Sequence, residues 1–521
     1  MGIPSYFKHI LDRYKYLLKP AGAPATTLLV DFNCLIYGCV RAPTMPPYTH
    51  EGRVEWEAAL LKNIREYVLE IWVTAGKPPN VYLAVDGVVP MAKIRQQRLR
   101  RFKSVWMAGQ ELALGVRGEE TWDTNSITPG TAFMEKLSVE LGALCSKHGW
   151  ILSGAEEEGE GEQKLMQWIR GRSADWFAGQ SIFVYGLDAD LIVLSMLHAG
   201  GVGSAAQWSI LREKQEFGKL GATATTKFLL LNITKMVEVL FPDLGQRSQY
   251  LYDYVAGMCL LGNDFVPHNL GVSLREHGHD RLEAALRDIH LKNMNLLVKE
   301  DGKYTWNKAA LELILESWAA TESEDHIAAF KQKYKMRGPT PRNDTEWKLA
   351  PLQNLPVEWA DEKRLWDTET LLDGWKSQYY FEGGALVCDR DIDTRSKEYL
   401  TGLQWIIDYY TGQREPSWEW MYSWTYPPLW SDILKYSRGR TSLPVPPYEL
   451  GKRLQPQEQL SLVLPLESWA LIRNAGLKGL PHKAPAFWPA KFQFMSLGKR
   501  WLWECPPRIP IMGVARLRSL L

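Results

Sequence analysis

Three runs of apolar residues that each stop on an aspartate set the tightest limit on how this chain folds. They are TLLVD ending at Asp31, VYLAVD ending at Asp86, and SIFVYGLDAD carrying Asp188 and Asp190. None alternates polar with apolar, so each strand needs cover on both faces, which is the condition of a parallel sheet. A helix pattern from about Glu55 to Thr74 separates the first two runs and gives strand, helix, strand. Ligands of such sheets bind beyond the carboxyl edge, where all three runs put their acids. At 521 residues the chain can bury a large core, as one α/β body or as roughly two to four domain-sized units.

Further acids follow the same habit. SGAEEEGEGEQKLMQWIR puts Glu160 and Glu162 at the start of a helix pattern, and Asp264 lies in a Gly-Asn-Asp turn after the helix-like YLYDYVAGMCLL. Each alone reads as a turn residue or a cap. Together, seven carboxylates at five element ends supply the hard oxygens from different segments that two Mg²⁺ ions about 4 Å apart require. Directly after Asp86 comes a basic helix, MAKIRQQRLRRFKSVW, whose Lys93, Gln97 and Arg101 fall at i, i+4 and i+8, with Arg100 alongside. That face makes a compact phosphate site, and a solvated basic surface is the plain alternative. Phe102, Val105 and Trp106 turn toward a core. Formal net charge is only +1, so affinity for nucleic acid has to be local.

Composition narrows the setting. Six cysteines without a CxxC pair favour a reducing compartment and argue against structural zinc. There is no apolar run of about 18 residues, and MGIPSYFKHILDRY lacks a signal peptide's apolar segment, so the protein is expected inside the cell and off the membrane. Tyr6 stands where a myristoylation motif wants Ser or Thr. Nine of the 23 tryptophans follow residue 400, in a stretch whose indoles serve packing and offer base-stacking surface. Residues 3 to 18 carry a short helix pattern. Gly200 to Thr226 reads as an exposed excursion around LREKQEF, and residues 331 to 364 read as a Pro-interrupted linker.

The blocks MGIPSYF, VDFNCLIYGC, AVDGVVPMAKIRQQRLRRF, WDTNSITPGTAFM, SGAEEEGEGEQKLMQWIR, YGLDADLIVL and LLGNDFVPH, in this order, closely resemble those of the XRN family of 5′→3′ exoribonucleases. The likeness resumes at YLTGLQWIIDYY, PSWEWMYSWTYPPLWSDI and VPPYELGKRLQPQEQLSLVLP and runs through APAFWPAKFQFMSLGKRWLWE. The resemblance implies an α/β fold: a parallel-rich central sheet flanked by helices (a PIN/flap-nuclease-like core), with a second, mixed α+β, aromatic-rich block packed on it. It divides the chain into a nuclease block (1–290), a variable helical or linker region (291–374) and a second block completing an RNA channel (375–521). It implies that Asp31, Asp86, Glu160, Glu162, Asp188, Asp190 and Asp264 hold one or two Mg²⁺ ions, with Mn²⁺ as substitute. It makes Lys93, Gln97, Arg100 and Arg101 the pocket for a 5′-terminal monophosphate.

Bases would stack between a second-block tryptophan, Trp418 in preference to Trp420, and the position of a family histidine, which here is Tyr37. The implied reaction degrades single-stranded RNA bearing a 5′-monophosphate to 5′-mononucleotides in RNA decay, by a monomer, in the cytoplasm in preference to the nucleus, with room for a protein partner. The chain is expected to lack the extra C-terminal domains of the large cytoplasmic members. The competing readings are a structure-specific DNA flap endonuclease and an RNA-binding member of the fold without chemistry. His268 reads as a structural, hydrogen-bonded histidine, and Asn33 as either a turn residue or a positioner of a carboxylate or the end phosphate.

Overall fold

The computed structural model describes residues 6–22, 24–214, 227–243, 245–274, 277–384 and 389–521. Seven strands form the central sheet, in the order β1 (Leu18–Pro20), β7 (Phe228–Asn232), β6 (Gln207–Glu213), β5 (Ser181–Tyr185), β2 (Thr27–Asp31), β3 (Asn80–Ala84) and β4 (Ile151–Ser153). From β6 to β4 the strands run parallel, and β7 and β1 add an antiparallel edge. The three apolar runs form β2, β3 and β5, side by side. In register, Asp31 lies opposite Ala84 and Val30 opposite Tyr185, so the three strands end at one edge and their aspartates follow there.

Helices cover both faces, which is why β2 is buried along its whole length. Alternate residues serve opposite sides. Leu28, Val30, Leu83 and Phe183 pack with α3 (Arg53–Thr74) and α5 (Ala132–His148). Leu29, Val184 and Ile210 pack with α6 (Gly161–Arg170) and α7 (Asp190–Ala199). The second cluster continues without a break through α9 (Arg247–Leu260), α11 (Lys308–Ala320), α15 (Asp389–Thr411) and α16 (Trp430–Arg438). The aromatic-rich block therefore shares its core with the sheet. Its aromatics sit on helices and extended segments, and its sheet-like pairing among the described residues is the isolated bridge Phe494–Pro507.

Two segments differ from the sequence reading. The expected excursion contains β6, whose Trp208, Ile210 and Leu211 are buried. Its charged end hid it: Arg212 donates to the carbonyl of Asp188 at 2.8 Å, and Glu213 accepts from Tyr185 Oη at 2.7 Å and from Tyr67. The remainder, 215–226, lies outside the described residues, as do the first five residues of the chain, where the expected first helix begins; the helix is seen as α1 (Tyr6–Tyr14). The expected linker ends one helix, Glu322–Lys335, and holds another, Asp344–Trp359. Asn343 caps the second by accepting from Glu346 N at 2.9 Å, and Leu349, Leu352, Leu355 and Trp359 give it an apolar face against Phe494 and Leu502. Packing outweighs Pro351 and Pro356 inside it.

The basic helix, α4 (Met91–Ala113), is not a solvated surface. Arg95 donates to the carbonyl of Trp424 at 2.7 Å, and Lys103 donates to the carbonyls of Trp503 and Cys505. Arg98, buried, donates to the carbonyls of Leu462 (2.7 Å), Pro510 (3.1 Å) and Phe487, with its guanidinium 4.4 Å from the Phe102 ring centroid. These cations dock α4 on the last part of the chain. Arg98→Met, which keeps the apolar stem, leaves three buried carbonyls short of a donor. We expect a loss of roughly 2–4 kcal/mol in urea unfolding; a loss under about 0.5 kcal/mol would show that Arg98 is not the anchor.

Candidate active site

The sheet edge, two helix starts and one turn bring the seven acids together. Asp31 ends β2, Asp86 and Asp188 follow β3 and β5, Asp190 opens α7, Glu160 and Glu162 flank the first residue of α6, and Asp264 follows α9. Asp86 is clamped: Asn33 Nδ2 donates to its Oδ2 at 2.9 Å, its own N–H donates to Asn33 Oδ1 at 3.1 Å, and the Gly161 N–H donates to its Oδ1 at 2.7 Å. Of the two roles open to Asn33, the structure displays the carboxylate positioner. Gly161 has a steric reason to be glycine, since a Cβ there would lie 2.5 Å from Asp31 Oδ1 and 2.9 Å from the Ala84 carbonyl.

The electrostatics are those of like charges buried together. Burial pushes Asp31 well above the usual carboxylate range, helped by Asp86 and Asp188. Burial does the same to Glu162, with Glu160 and Asp190 adding to it. Asp190 is pushed up to about 7 by burial and by Asp264. Burial also raises Glu160, against the pull of Lys93. Burial would raise Asp188 as well, yet neighbouring positive charge, Lys93 and Arg100 among it, takes it below the usual range. Among the described residues the Lys93 ammonium is in direct contact with the acids: it contacts Glu160 and stands 2.9 Å from Asp264 Oδ2.

Lys93, expected to face a phosphate, is paired in the structure with Glu160 and Asp264 of the acidic centre. No three of the seven acids, all among the described residues, bring oxygens within 4.8 Å of one another. The donor set nevertheless fits a divalent cation. All donors are hard oxygens, and both oxygens of buried Glu162 have no hydrogen-bond partner among the described residues, a costly state that a cation relieves.

One further residue holds this centre and carries no local sequence signal. Tyr409 Oη donates to Glu160 Oε1 at 2.6 Å, with both groups buried. It comes from α15, and its ring stacks on Trp405 at 4.9 Å and meets Phe265 edge-on at 5.4 Å.

Beside the acids, α4 presents the rest of the expected phosphate site. Gln97 and Arg101 are buried, and Gln97 Oε1 and Arg101 Nε have no hydrogen-bond partner among the described residues. Arg101 Nη1 donates to Asn125 Oδ1 at 2.8 Å, and Asn125 donates to Ser468 Oγ at 2.8 Å. Burial takes the Arg101 guanidinium down to about 10, against the electrostatic pull of the Tyr37 phenol nearby. Arg100 is exposed. Asn125 sits in the WDTNSITPG segment, with nothing local to mark it.

The two tryptophans differ. Trp420 packs on Trp405 at 5.1 Å and covers Gly402, where a Cβ would meet it at 2.7 Å. Trp418 is half-buried, takes Arg453 over its ring at 4.9 Å, donates to Glu415 at 3.1 Å, and its carbonyl accepts from Met91 N, the first residue of α4, at 2.9 Å. His268 is hydrogen-bonded on both nitrogens, to the Asn269 carbonyl and to Lys499, as expected of a structural histidine.

Comparison with known proteins follows the same outline. The family model described as XRN 5′-3′ exonuclease N-terminus matches residues 1–214, and that described as Xrn1 helical domain matches residues 340–521. Human 5′-3′ exoribonuclease 1 is 29% identical over 600 aligned residues, covering 99% of this chain and 34% of the human protein. The 5′-3′ exoribonuclease 1 of Saccharomyces cerevisiae is 25% identical, covering 99% of this chain and 43% of the yeast protein. The 5′-3′ exoribonuclease 2 of Debaryomyces hansenii is 23% identical, covering all of this chain and 70% of that protein. The chain spans about a third of the human relative and under half of the budding-yeast one.

Raised carboxylates make the folded form the tighter binder of protons, so stability from them is present at low pH and is lost as pH rises from about 4 through about 7. A cation that pairs with the ionised set reverses the loss. Mn²⁺ is therefore expected to raise the melting temperature more at pH 8 than at pH 5, in calorimetric scans against EDTA; an equal rise at both would detach the ion from these acids. Tyr409→Phe, which removes one support of Glu160, should weaken Mn²⁺ binding about 10-fold or more in an EPR titration of free Mn²⁺.

Proposed function

The chain belongs to the XRN family of 5′-3′ exonucleases, and from that premise we propose that it is a divalent-metal-dependent 5′→3′ exoribonuclease acting on single-stranded RNA with a 5′-monophosphate. The observation that carries the reading is adjacency: one element, β3 running into α4, carries Asp86 of the acidic centre and, within a few turns, Gln97 and Arg101.

The roles follow from the contacts. Gln97, Arg100 and Arg101 receive the terminal phosphate. Arg101 is held in place by Asn125, and its Nε is left over for the ligand. The Gln97 amide N–H would donate to phosphate oxygens, and a site confined to one phosphate group would exclude a cap or triphosphate. Asn33 and the Gly161 N–H fix Asp86, and Tyr409 fixes Glu160, so the acids meet the scissile phosphate in one geometry. Mg²⁺ or Mn²⁺ held by the seven acids would supply an ionised water for in-line attack and charge neutralisation at the leaving 3′ oxygen. Lys93, paired with Glu160 and Asp264 one helical turn before Gln97, is the residue that would join Gln97 and Arg101 on the 5′-phosphate.

Tyr37 and Trp418 frame the first bases, with stacking worth roughly 1–3 kcal/mol per base. The products are 5′-mononucleotides, the work belongs to RNA decay inside the cell, in the cytoplasm in preference to the nucleus, and no helix among the described residues is long and apolar enough to cross a membrane.

The test compares one labelled RNA bearing 5′-monophosphate, 5′-hydroxyl or 5′-triphosphate, with Mg²⁺ and with EDTA, beside a branched DNA flap. The monophosphate form should disappear at least about 10-fold faster than the others, because a charge-assisted pair contributes roughly 1.5–3 kcal/mol. Arg101→Ala should erase that preference while metal binding persists. Equal rates for all three ends would overturn the phosphate site, and cleavage at the flap junction with intact linear RNA would favour the DNA reading.

A further inference from the structure

A second cluster of metal-ligating groups lies at the start of α10 (Gly278–Leu291), where it meets α1. His279 and Glu283 are spaced i, i+4 and share a helix face. Ligand atoms of His279, Asp280 and Glu283 all lie within 4.8 Å of one another. His279 Nδ1 stands 3.8 Å from Glu283 Oε1, and His277 Nδ1 stands 3.7 Å from Asp280 Oδ2. Arg13 holds the opposite oxygens, Asp280 Oδ1 at 3.0 Å and Glu283 Oε2 at 3.2 Å. It steadies both carboxylates and leaves the inner oxygen of each facing an imidazole.

The observation that points to a ligand is the state of His279. The ring is 1% exposed, and its Nδ1 has no hydrogen-bond partner among the described residues. Its Nε2 pairs with Tyr254 Oη at 2.8 Å, and Tyr254 Oη lies 3.0 Å from Tyr6 Oη, which contacts Met196 Sδ at 3.8 Å. With Tyr6 donating to the sulfur, Tyr254 donates to Tyr6 and accepts from Nε2, and that tautomer leaves Nδ1 as a lone pair facing Glu283. A cation between the two turns that contact from repulsive to attractive.

We infer that His279 Nδ1, Glu283, Asp280 and His277 form a second metal site, separate from the acidic centre, for a divalent ion of the zinc class. Two imidazoles with two carboxylates suit zinc, and Mg²⁺ prefers all-oxygen, octahedral sites. Tetrahedral ligands about 2.0–2.1 Å from the ion are about 3.4 Å apart. The His279–Glu283 and His277–Asp280 pairs are within a few tenths of an ångström of that. The ligand atoms of His279, Asp280 and Glu283 lie within 4.8 Å of one another, and the exposed His277 side chain swings in to complete the set. Tyr254 plays the part of the outer partner that fixes a metal-bound histidine. His277 and Asp280 are largely exposed, which gives the ion its way in.

The full-length protein is stripped with EDTA and titrated with Zn²⁺, and in parallel with Co²⁺ to read tetrahedral visible absorption, in a large excess of Mg²⁺ that keeps the acidic centre loaded. One equivalent should bind, with affinity falling at least about 10-fold in Glu283→Gln and in His277→Ala, as for lost ligands. Melting temperatures in EDTA should match the wild type, and Mg²⁺-dependent RNA degradation by His277→Ala should stay unchanged. His279→Ala empties a buried position and can lower stability, so the test rests on the two accessible variants. Absence of a bound equivalent, or equal Zn²⁺ affinity in the wild type and the Glu283→Gln, His277→Ala double variant, would overturn the site.

Discussion

Burial of several carboxylates together, away from water and beside one another, is the constraint on which the rest of this structure depends. Raising a single acid such as Asp190 to about 7 corresponds to about 4 kcal/mol of opposition to its ionisation at neutral pH. The chain meets that opposition with supports that come from far apart in sequence: Asn33 and Gly161 on Asp86, Tyr409 on Glu160, and Lys93 between Glu160 and Asp264. None of these supports belongs to the strand that carries the acid it holds. A sheet edge alone would let the aspartates turn outward to water, and the flanking helices prevent it.

The basic helix shows how a chain of net charge +1 makes a strong local field. Its cations divide by face. Arg95, Arg98 and Lys103 spend their donors on carbonyls of residues 424–510 and act as hydrogen-bonding anchors. Lys93 and Arg101 point to the acidic centre and to Asn125. Anchoring the first set is what holds the second set still, because α4 cannot roll without breaking the carbonyl contacts. Much of the phosphate affinity that the sequence advertises is therefore structural charge, and the part left for a ligand is small and rigid.

What was legible in the sequence was local. Strands β2, β3 and β5 announced themselves by apolar runs without alternation, and their terminal aspartates by position. The helix register of α4 separated Gln97 and Arg101 from Phe102 correctly. What was illegible depended on partners distant in sequence. β6 hid behind Arg212 and Glu213, whose charges are satisfied by Asp188 and two tyrosines that no window around LREKQEF contains. The helix Asp344–Trp359 hid behind two prolines that its packing on Phe494 overrides. Helical spacing put Lys93 on the right face of α4, but its pairing with the acids is a sum over five segments, and Tyr409 has an aromatic's ordinary signature.

The second block reaches the centre through aromatic rings, and this bears on the base-stacking role expected of Tyr37, where the resemblance places a family histidine. Trp420 packs on Trp405, which stacks on Tyr409, which bonds Glu160, so the stack transmits the position of residues 405–420 directly to an acid. Trp418, two residues before Trp420, is not part of that stack. Its indole already carries the Arg453 guanidinium, and Arg453 is paired with Glu158 of the acidic loop and with Glu415. A base that stacks on Trp418 must either take the opposite indole face or displace this cation. With a histidine facing it, an imidazolium would add charge to the nucleotide's surroundings; with Tyr37 the phenol adds only surface and a polar edge near Arg101. On the proposed exoribonuclease reading, positive charge around the first nucleotide would rest on Arg101 and Arg453, and the grip on successive bases would depend on ring overlap and salt concentration rather than on imidazole protonation.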